Sequence, residues 1–314
     1  MKSSLSRRDF LATGAGGWLT LASVAAPAPV TPKKRALRVA HVTDIHLQRG
    51  GVAADRTVAA LRHVHSLPDR PDLILFGGDY IMDGLKASKE QALGDWKLWR
   101  EIVNAECQLP AWFALGNHDV WGWGRSDRAG IESDPHFGKG LPLEMLGLKQ
   151  SYCSFDRGGW HFIVLDSIQP ATSPGSSYVG YLDEPQFVWL EADLRAVPAS
   201  TPVCVVSHIP LLSVAVFLGG PAEKSGDWLV SSVVMHRDAR RLKDLFHRQG
   251  NVRLCLSGHM HMIDDVTYLD TRYCCNGAVC GNWWKGPFQE FAPAYALFDL
   301  YADGSSRREM ITLS

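Results

Sequence analysis

The sequence predicts an α/β fold in which helices flank two mixed sheets. Two patterns indicate this fold. In the first half of the chain, short apolar runs alternate with segments whose apolar residues recur at helical spacing, as in parallel βαβ units. Near the carboxyl end, tight turns separate short strand-like runs, which predicts antiparallel hairpins at residues 266–269, 272–275, 294–300 and 308–313. Sheets that combine both kinds of pairing are mixed.

The first half of the chain supplies three buried strands and two helices. Strands are expected at residues 37–43, Leu73–Phe76 and 111–115, because each is a short apolar run followed by polar residues or glycine. Residues 55–66 and Lys89–Glu106 carry apolar side chains at helical spacing. We therefore expect these two segments to be helices that connect the strands.

The second half begins with a long connection and continues with strands and helices. Residues 120–147 have no clear period, and a connection of this length inside a domain is usually functional or mobile. The remaining predicted elements are a hairpin of strands 152–155 and 161–165, a helix 185–194 capped by Asp183, a strand 203–207, a helix 235–249 ended by Gly250, and a strand 252–256.

Composition and charge narrow the class of protein. Hydrophobic residues make up 46% of the chain and charged residues 21%, so the chain can bury a large core. The net charge of -1 disfavours a nucleic-acid partner, because nucleic-acid binders normally carry a basic surface.

The seven cysteines are an odd number, so at least one is expected to stay unpaired within the chain. Cys204 and Cys255 lie in predicted strands, where we expect small buried side chains. Two of the three residues Cys274, Cys275 and Cys280 could form a disulfide in an oxidising compartment, and the sequence does not determine which two.

Residues 1–28 resemble a twin-arginine export signal. Ser6-Arg7-Arg8-Asp9-Phe10-Leu11 precedes a Gly- and Ala-rich run that is short and weakly apolar compared with a typical membrane span. We expect residues 35–314 to form a single domain that the twin-arginine export machinery delivers to the periplasm or the medium, without stable membrane insertion. Retention of the run as a membrane anchor and a basic flexible tail are the alternatives.

Five predicted strands end in side chains that can bind metal ions. They are Asp44 with His46, Asp79, Asn117, His208, and His259 with His261. Ligands gather at the carboxyl ends of strands in open α/β sheets. Imidazole nitrogen with carboxylate or amide oxygen suits borderline divalent ions, and a pair of ions about 3.5–4 Å apart needs a carboxylate between them. Asp79, directly after two glycines, is the candidate for that shared position. On extended chain, Asp44 and His46 would point to the same side.

These five blocks resemble, in order and approximate spacing, those of the calcineurin-like metallophosphoesterases over essentially the whole chain after residue 35. The resemblance implies a four-layer α/β/β/α sandwich with a dinuclear centre of two divalent or trivalent ions, Mn, Fe or Zn. It also implies that one ion is bound by Asp44, His46 and His261, the other by Asn117, His208 and His259, and both by Asp79. His118 would assist the leaving group, and Asp119 would orient His118.

The activity implied by the resemblance is hydrolysis of phosphoric esters. Two cations neutralise ester oxygens and lower the pKa of a bound water. We therefore expect a metal-bridging hydroxide to attack a small-molecule phosphomonoester or phosphodiester in line, without a phosphorylated enzyme intermediate. A cyclic-nucleotide phosphodiesterase of the same family is the alternative. The complete ligand set disfavours a second rival, a non-enzymatic scaffold.

Tryptophans follow several of the ligand blocks. Trp121, Trp123, Trp228 and the pair Trp283-Trp284 lie on segments that leave predicted strand ends. Most tryptophans fill cores, but those on loops beside a metal site can face the organic part of a substrate. We expect this role chiefly of Trp283 and Trp284.

Overall fold

Strands and helices alternate along most of the chain, and strands alone end it. The structure, a computed structural model, describes residues 33–172, 175–218 and 227–313. The strands in this part of the chain are β1 (Arg35–Val42), β2 (Leu73–Phe76), β3 (Ala111–Phe113), β4 (Cys153–Arg157), β5 (Trp160–Val164), β6 (Ile168–Pro170), β7 (Tyr178–Gly180), β8 (Val203–Val206), β9 (Val252–Ser257), β10 (Ile263–Tyr268), β11 (Thr271–Asn276), β12 (Ala294–Tyr301) and β13 (Ser306–Thr312). The α-helices are α1 (Ala53–Ser66), α2 (Lys89–Glu106), α3 (Arg128–Ile131), α4 (Gly140–Leu146), α5 (Glu184–Ala196) and α6 (Ala239–Gln249).

Two large mixed sheets form the centre of the domain. The first sheet has the strand order β13-β12-β1-β2-β3, with β1, β2 and β3 parallel and β12 antiparallel to β1. The second sheet has the order β10-β11-β9-β8-β5-β4, with parallel pairing from β11 to β5 and antiparallel strands at both edges. The late hairpins β10–β11 and β12–β13 are antiparallel, as the sequence predicts.

Alternation along β2 shows how the layers stack. Leu73 and Leu75 join a buried cluster with side chains of the second sheet, whereas Ile74 and Phe76 pack with helices α1, α2 and α4. On the other side, α5 and α6 cover the outer face of the second sheet through residues such as Phe187. The order helix, sheet, sheet, helix confirms the predicted α/β/β/α sandwich.

Helix α6 begins later than its sequence pattern predicts, at Ala239 rather than at residue 235. The backbone amides of His236 and Arg237 donate to the carbonyls of Pro210 and Gly180, so these residues anchor a loop instead of a helical turn. Gly250 ends α6 in the left-handed conformation, as predicted.

The sequence patterns did not predict four short elements. The segment 120–147 contains α3 and α4, and residues after β5 form the two-stranded sheet β6–β7. Each of these elements is three to seven residues long, which is too short for hydrophobic periodicity to show.

The cysteines and the amino terminus complete the comparison with the sequence. All seven cysteines lie in the described part of the chain, and there each is a free thiol; Cys204 and Cys255 are buried, as predicted. The expected export signal at residues 1–28 lies outside the described residues. Among the helices that are described, none combines the length and apolarity needed to cross a bilayer.

Candidate metal centre

The seven predicted ligands converge where both sheets present the carboxyl ends of their strands. Asp44, Asp79 and Asn117 follow β1, β2 and β3 of the first sheet, and His208 and His259 follow β8 and β9 of the second. Six of the seven are buried, Asp44, His46 and His208 have no exposed surface, and His259 is half-buried. The parallel strands thus bring together residues that lie far apart in the sequence.

One group of ligands forms around Asp44. Its Oδ1 lies 3.3 Å from His261 Nε2 and 3.9 Å from His46 Nε2. The two imidazole nitrogens are themselves 3.1 Å apart. Asp44 Oδ2 accepts from Thr43 Oγ1 at 2.6 Å, which leaves Oδ1 facing the histidines.

A second group forms around His208. Its Nε2 lies 3.1 Å from Asn117 Oδ1 and 3.2 Å from His259 Nδ1. Asp79 connects the groups, because its Oδ2 lies 3.2 Å from His208 Nε2 and 3.5 Å from His46 Nε2. The structure therefore places Asp79 between the two groups, in the position that the sequence suggested for it.

Backbone carbonyls determine which nitrogen three of the four candidate histidines turn inward. His208 Nδ1, His261 Nδ1 and His259 Nε2 donate to the carbonyls of Gly77, Gly281 and Val233 at 2.8, 2.6 and 2.8 Å. A carbonyl accepts only, so these nitrogens carry the hydrogen and, in the neutral rings, the opposite nitrogens carry lone pairs that face one another.

Converging lone pairs repel unless a cation or a proton lies between them. Mixed imidazole, carboxylate and amide donors are a set that borderline divalent ions prefer, and outward N–H groups bonded to carbonyls are the usual second layer of such sites. The residues present therefore fit a pair of such ions.

The charges of the buried carboxylates shape the titration of the histidines. Burial lowers the pKa of His208, but the Asp79 carboxylate outweighs it and raises that pKa to about 9. Burial raises the pKa of Asp79, and the nearby His208 reverses this, so the pKa of Asp79 ends well below its ordinary value. The charge of Asp79 thus outweighs burial at His208, whereas burial prevails at His46 and His259 and lowers the pKa of both.

Backbone geometry corrects one expectation about Asp44 and His46. β1 ends at Val42, and Asp44, His46, Asp79, His259 and His261 all have positive φ angles between 49° and 69°. The two side chains of the first block therefore meet through left-handed turns, and the predicted extended chain is wrong there. Such conformations are costly for residues other than glycine and concentrate at functional sites.

Two glycines leave room for the carboxylates. A Cβ on Gly116 would lie 2.1 Å from Asp79 Oδ1, and a Cβ on Gly258 would lie 2.1 Å from Asp44 Oδ2. Any larger residue would displace the ligands.

His118 borders the centre, and Asp119 has a different role from the predicted one. His118 Nδ1 donates to the Met82 carbonyl at 2.6 Å, and its ring meets that of His46 edge-on with centroids 4.7 Å apart. Asp119 instead accepts from the backbone amides of Gly116, Asp79 and Tyr80 at 2.7 to 2.9 Å. The prediction that Asp119 orients His118 is wrong, because its buried carboxylate is occupied in fixing the turn that presents Asp79.

The tryptophans separate into core and rim residues. Trp121 and Trp123 are buried, while Trp228 is 48% exposed. Trp284 Nε1 donates to the His46 carbonyl at 3.2 Å, whereas the Trp283 ring lies 4.8 Å from the ring of His261.

Sequence reasoning missed the carbonyls of Met82, Gly77, Val233 and Gly281, because a main-chain acceptor has no side-chain signature. It also missed Cys280, whose buried Sγ lies 4.0 Å from His261 Nδ1.

Comparisons with known proteins agree with this geometry. The model of the calcineurin-like phosphoesterase family matches residues 37–262. A 3',5'-cyclic-nucleotide phosphodiesterase of a Nostoc species is 28% identical over 285 residues, which cover 87% of this chain and 91% of that protein. A probable glycerophosphodiester phosphodiesterase of Arcobacter nitrofigilis is 23% identical over 250 residues, which cover 73% of this chain and 74% of that protein. A dimetal phosphatase from Danio rerio has the same fold, with a TM-score of 0.60 and 15% identity over 90% of this chain and 100% of that one.

Proposed function

This chain belongs to the calcineurin-like phosphoesterase family, and from that premise we propose that it hydrolyses phosphodiesters with two metal ions held at the strand ends. It is a hydrolase of phosphoester bonds; the diester preference and the residue roles are the proposed part. The observation that carries the proposal is the placement of Asp79, whose Oδ2 faces one histidine of each ligand group at 3.2 and 3.5 Å.

The proposed division of the metal ligands is the one that the family resemblance implies. Asp44, His46 and His261 would hold one ion, Asn117, His208 and His259 would hold the other, and Asp79 would bind both. Bound ions would neutralise the ester oxygens and lower the pKa of the attacking water. The nitrogen and oxygen donors suit Mn, Fe or Zn ions.

In this proposal, His118 would donate a proton to the leaving oxygen. Its Nδ1 hydrogen is committed to the Met82 carbonyl, so Nε2 is the nitrogen that remains for the substrate. In its cationic form the ring would give the Nε2 proton to the departing alkoxide as the P–O bond breaks, and would take a proton from water afterwards.

The names of two relatives favour diesters over monoesters. One relative is a cyclic-nucleotide phosphodiesterase and the other a probable glycerophosphodiester phosphodiesterase. Both reactions cleave one ester bond of a phosphate that carries two. We therefore assign the diester as the substrate class and the 3',5'-cyclic nucleotide as the first candidate within it.

The test compares esters that differ in the number of organic groups. Protein loaded with Mn, Fe or Zn would be assayed with bis(4-nitrophenyl) phosphate, 4-nitrophenyl phosphate and 3',5'-cyclic AMP, and its metal content measured. We expect about two ions per chain, faster cleavage of the diester than of the monoester, and loss of both metal and activity in Asp79→Ala. A fully loaded protein that cleaves only the monoester would contradict the diester assignment.

We also propose export by the twin-arginine route, supported by Arg7-Arg8 before an apolar run. Replacement of Arg7 and Arg8 by lysine should keep the precursor in the cytoplasm, as fractionation would show. Arg70→Lys, at an exposed position of the domain, is the matched control and should leave export unchanged. Undiminished arrival of the double variant in the periplasm would contradict this route.

A further inference from the structure

An aromatic wall stands directly against the metal centre. The Trp283 ring lies 4.8 Å from the ring of His261 and 5.9 Å from the ring of His46, measured between centroids. Phe288 completes the wall, because its ring is 5.8 Å from both Trp283 and His261. We call Trp283 and Phe288 the aromatic wall. Both residues are half-buried, so part of each ring faces solvent.

The neighbouring residue, Trp284, makes different contacts from those of Trp283. Trp284 packs against the core between the first sheet and its helices, and its Nε1 donates to the His46 carbonyl at 3.2 Å. Its backbone amide donates to the Cys280 carbonyl at 2.8 Å. Trp284 therefore supports the loop that carries His46. The backbone of Trp283 also has a hydrogen bond with Cys280, but no such bond of its indole ring is among those the structure describes.

The backbone holds Trp283 in place at a cost. Trp283 and Trp284 have φ angles of 46° and 65°, which are genuine outliers for bulky residues. Backbone hydrogen bonds from Asn282 to Gly286 and from Lys285 to Asn282, at 2.9 Å each, close the turn around them. Strain of this kind persists where surrounding structure enforces it, often at ligand-binding positions. The backbone that carries the ring is thus held in place before any ligand arrives.

We propose that the aromatic wall binds the organic group of the ester, so that Trp283 determines specificity for flat, unsaturated groups such as an aryl ring or a nucleobase. This inference rests on the proposed function, because it requires phosphate at the metal centre. Phosphate at the ion that His46 and His261 would hold would carry its substituent within reach of the wall, and a flat group stacks on an indole face with little loss of freedom.

The experiment separates binding of the organic group from binding of the phosphate. Metal-loaded protein would be titrated calorimetrically with phenylphosphonate and methylphosphonate, which share the anionic head and cannot be hydrolysed. Stacking on one aromatic side chain predicts that phenylphosphonate binds to the wild type about tenfold more tightly than methylphosphonate does. Trp283→Leu should bring the two dissociation constants within about threefold, while that of methylphosphonate changes little, and Trp283→Phe should keep most of the preference.

The matched control is Trp189→Leu. Trp189 is also half-buried and contacts an aromatic ring, that of Tyr152 at 4.8 Å, but it lies in α5 on the outer layer. The Trp189→Leu protein should keep the wild-type preference for phenylphosphonate over methylphosphonate. If Trp283→Leu does not fold, Phe288→Leu removes the other ring of the wall and should reduce the preference.

The outcomes distinguish the two proposals. A wild-type protein that hydrolyses diesters and binds both phosphonates, but whose preference survives in Trp283→Leu and Phe288→Leu, would overturn the aromatic wall alone. A loaded protein that binds neither phosphonate and cleaves no ester would overturn the proposed function, and the wall with it.

Discussion

Replacement of Gly116 by alanine tests whether the position of Asp79 controls the centre. The new Cβ would lie 2.1 Å from Asp79 Oδ1 and 2.4 Å from the Asp79 backbone nitrogen. Gly116 has no positive φ, so its own backbone would accept alanine, and the conflict is purely steric. Asp79 must therefore move, and its Oδ1 would lose the 2.8 Å hydrogen bond from the His118 amide.

The magnitude follows from the size of the overlap. A carbon and an oxygen that are not bonded rarely approach within 3.0 Å, so the carboxylate must shift by about 1 Å. Misplacement on that scale at a catalytic centre costs on the order of 10²-fold in rate. Overpacking costs roughly 1–3 kcal/mol of stability, which corresponds to a fall in Tm of about 2–4 °C for each kcal/mol.

The assay measures kcat/KM on a diester, metal content and Tm for Gly116→Ala and a control. Gly130→Ala is the matched control, because Gly130 is exposed in α3 and a Cβ there would meet nothing within 4 Å. The control should keep its activity and metal. A Gly116→Ala protein with full metal content and wild-type kcat/KM would refute the reasoning.

Three further predictions concern the centre and its surroundings. Asp79→Ala should lose most metal and nearly all activity, whereas His118→Ala should keep its metal and lose about 10²–10⁴-fold in rate; a metal-free His118→Ala protein would contradict this division. His118→Ala should slow an alkyl ester far more than a nitrophenyl ester, since a nitrophenolate leaves without a proton; equal losses would assign His118 to positioning. Burial lowers the pKa of His41 from 6.5 to about 4, so the unfolded chain binds the proton first as the pH falls. The contribution of neutral His41 to the free energy of unfolding is therefore complete above pH 6.5 and is lost towards pH 4, by about 3 kcal/mol at most. Urea unfolding at pH 7 and pH 4.5 should show that His41→Gln loses less stability between these pH values than the wild type does. Equal losses in the two proteins would exclude His41 as the cause.

The ligand positions were predictable because each one follows a local pattern. A short apolar run that ends in a polar side chain can be read without knowledge of the rest of the chain, and the carboxyl ends of parallel strands meet at one edge. Asp79 and His208 fall where that pattern places them.

Other features depend on contacts between distant segments. Asp119 was misassigned because its real partners, the amides of Gly116, Asp79 and Tyr80, are backbone groups that every sequence contains. The late start of α6 has the same origin, since Pro210 and Gly180 supply the acceptors that a helical turn would otherwise provide. Residue propensities depend on neighbouring residues only, so they do not reveal either of these contacts with distant segments.

The position of β12 ties the beginning of the chain to its end. β12 lies between β13 and β1, and its Phe298 is paired with Val39 of β1. During synthesis, one edge of β1 therefore stays unpaired until Ala294–Tyr301 has left the ribosome, and an unpaired edge invites association with other chains. A chain truncated after His261 would contain every proposed metal ligand and still lack the strand that covers β1, so we expect it to aggregate rather than bind metal.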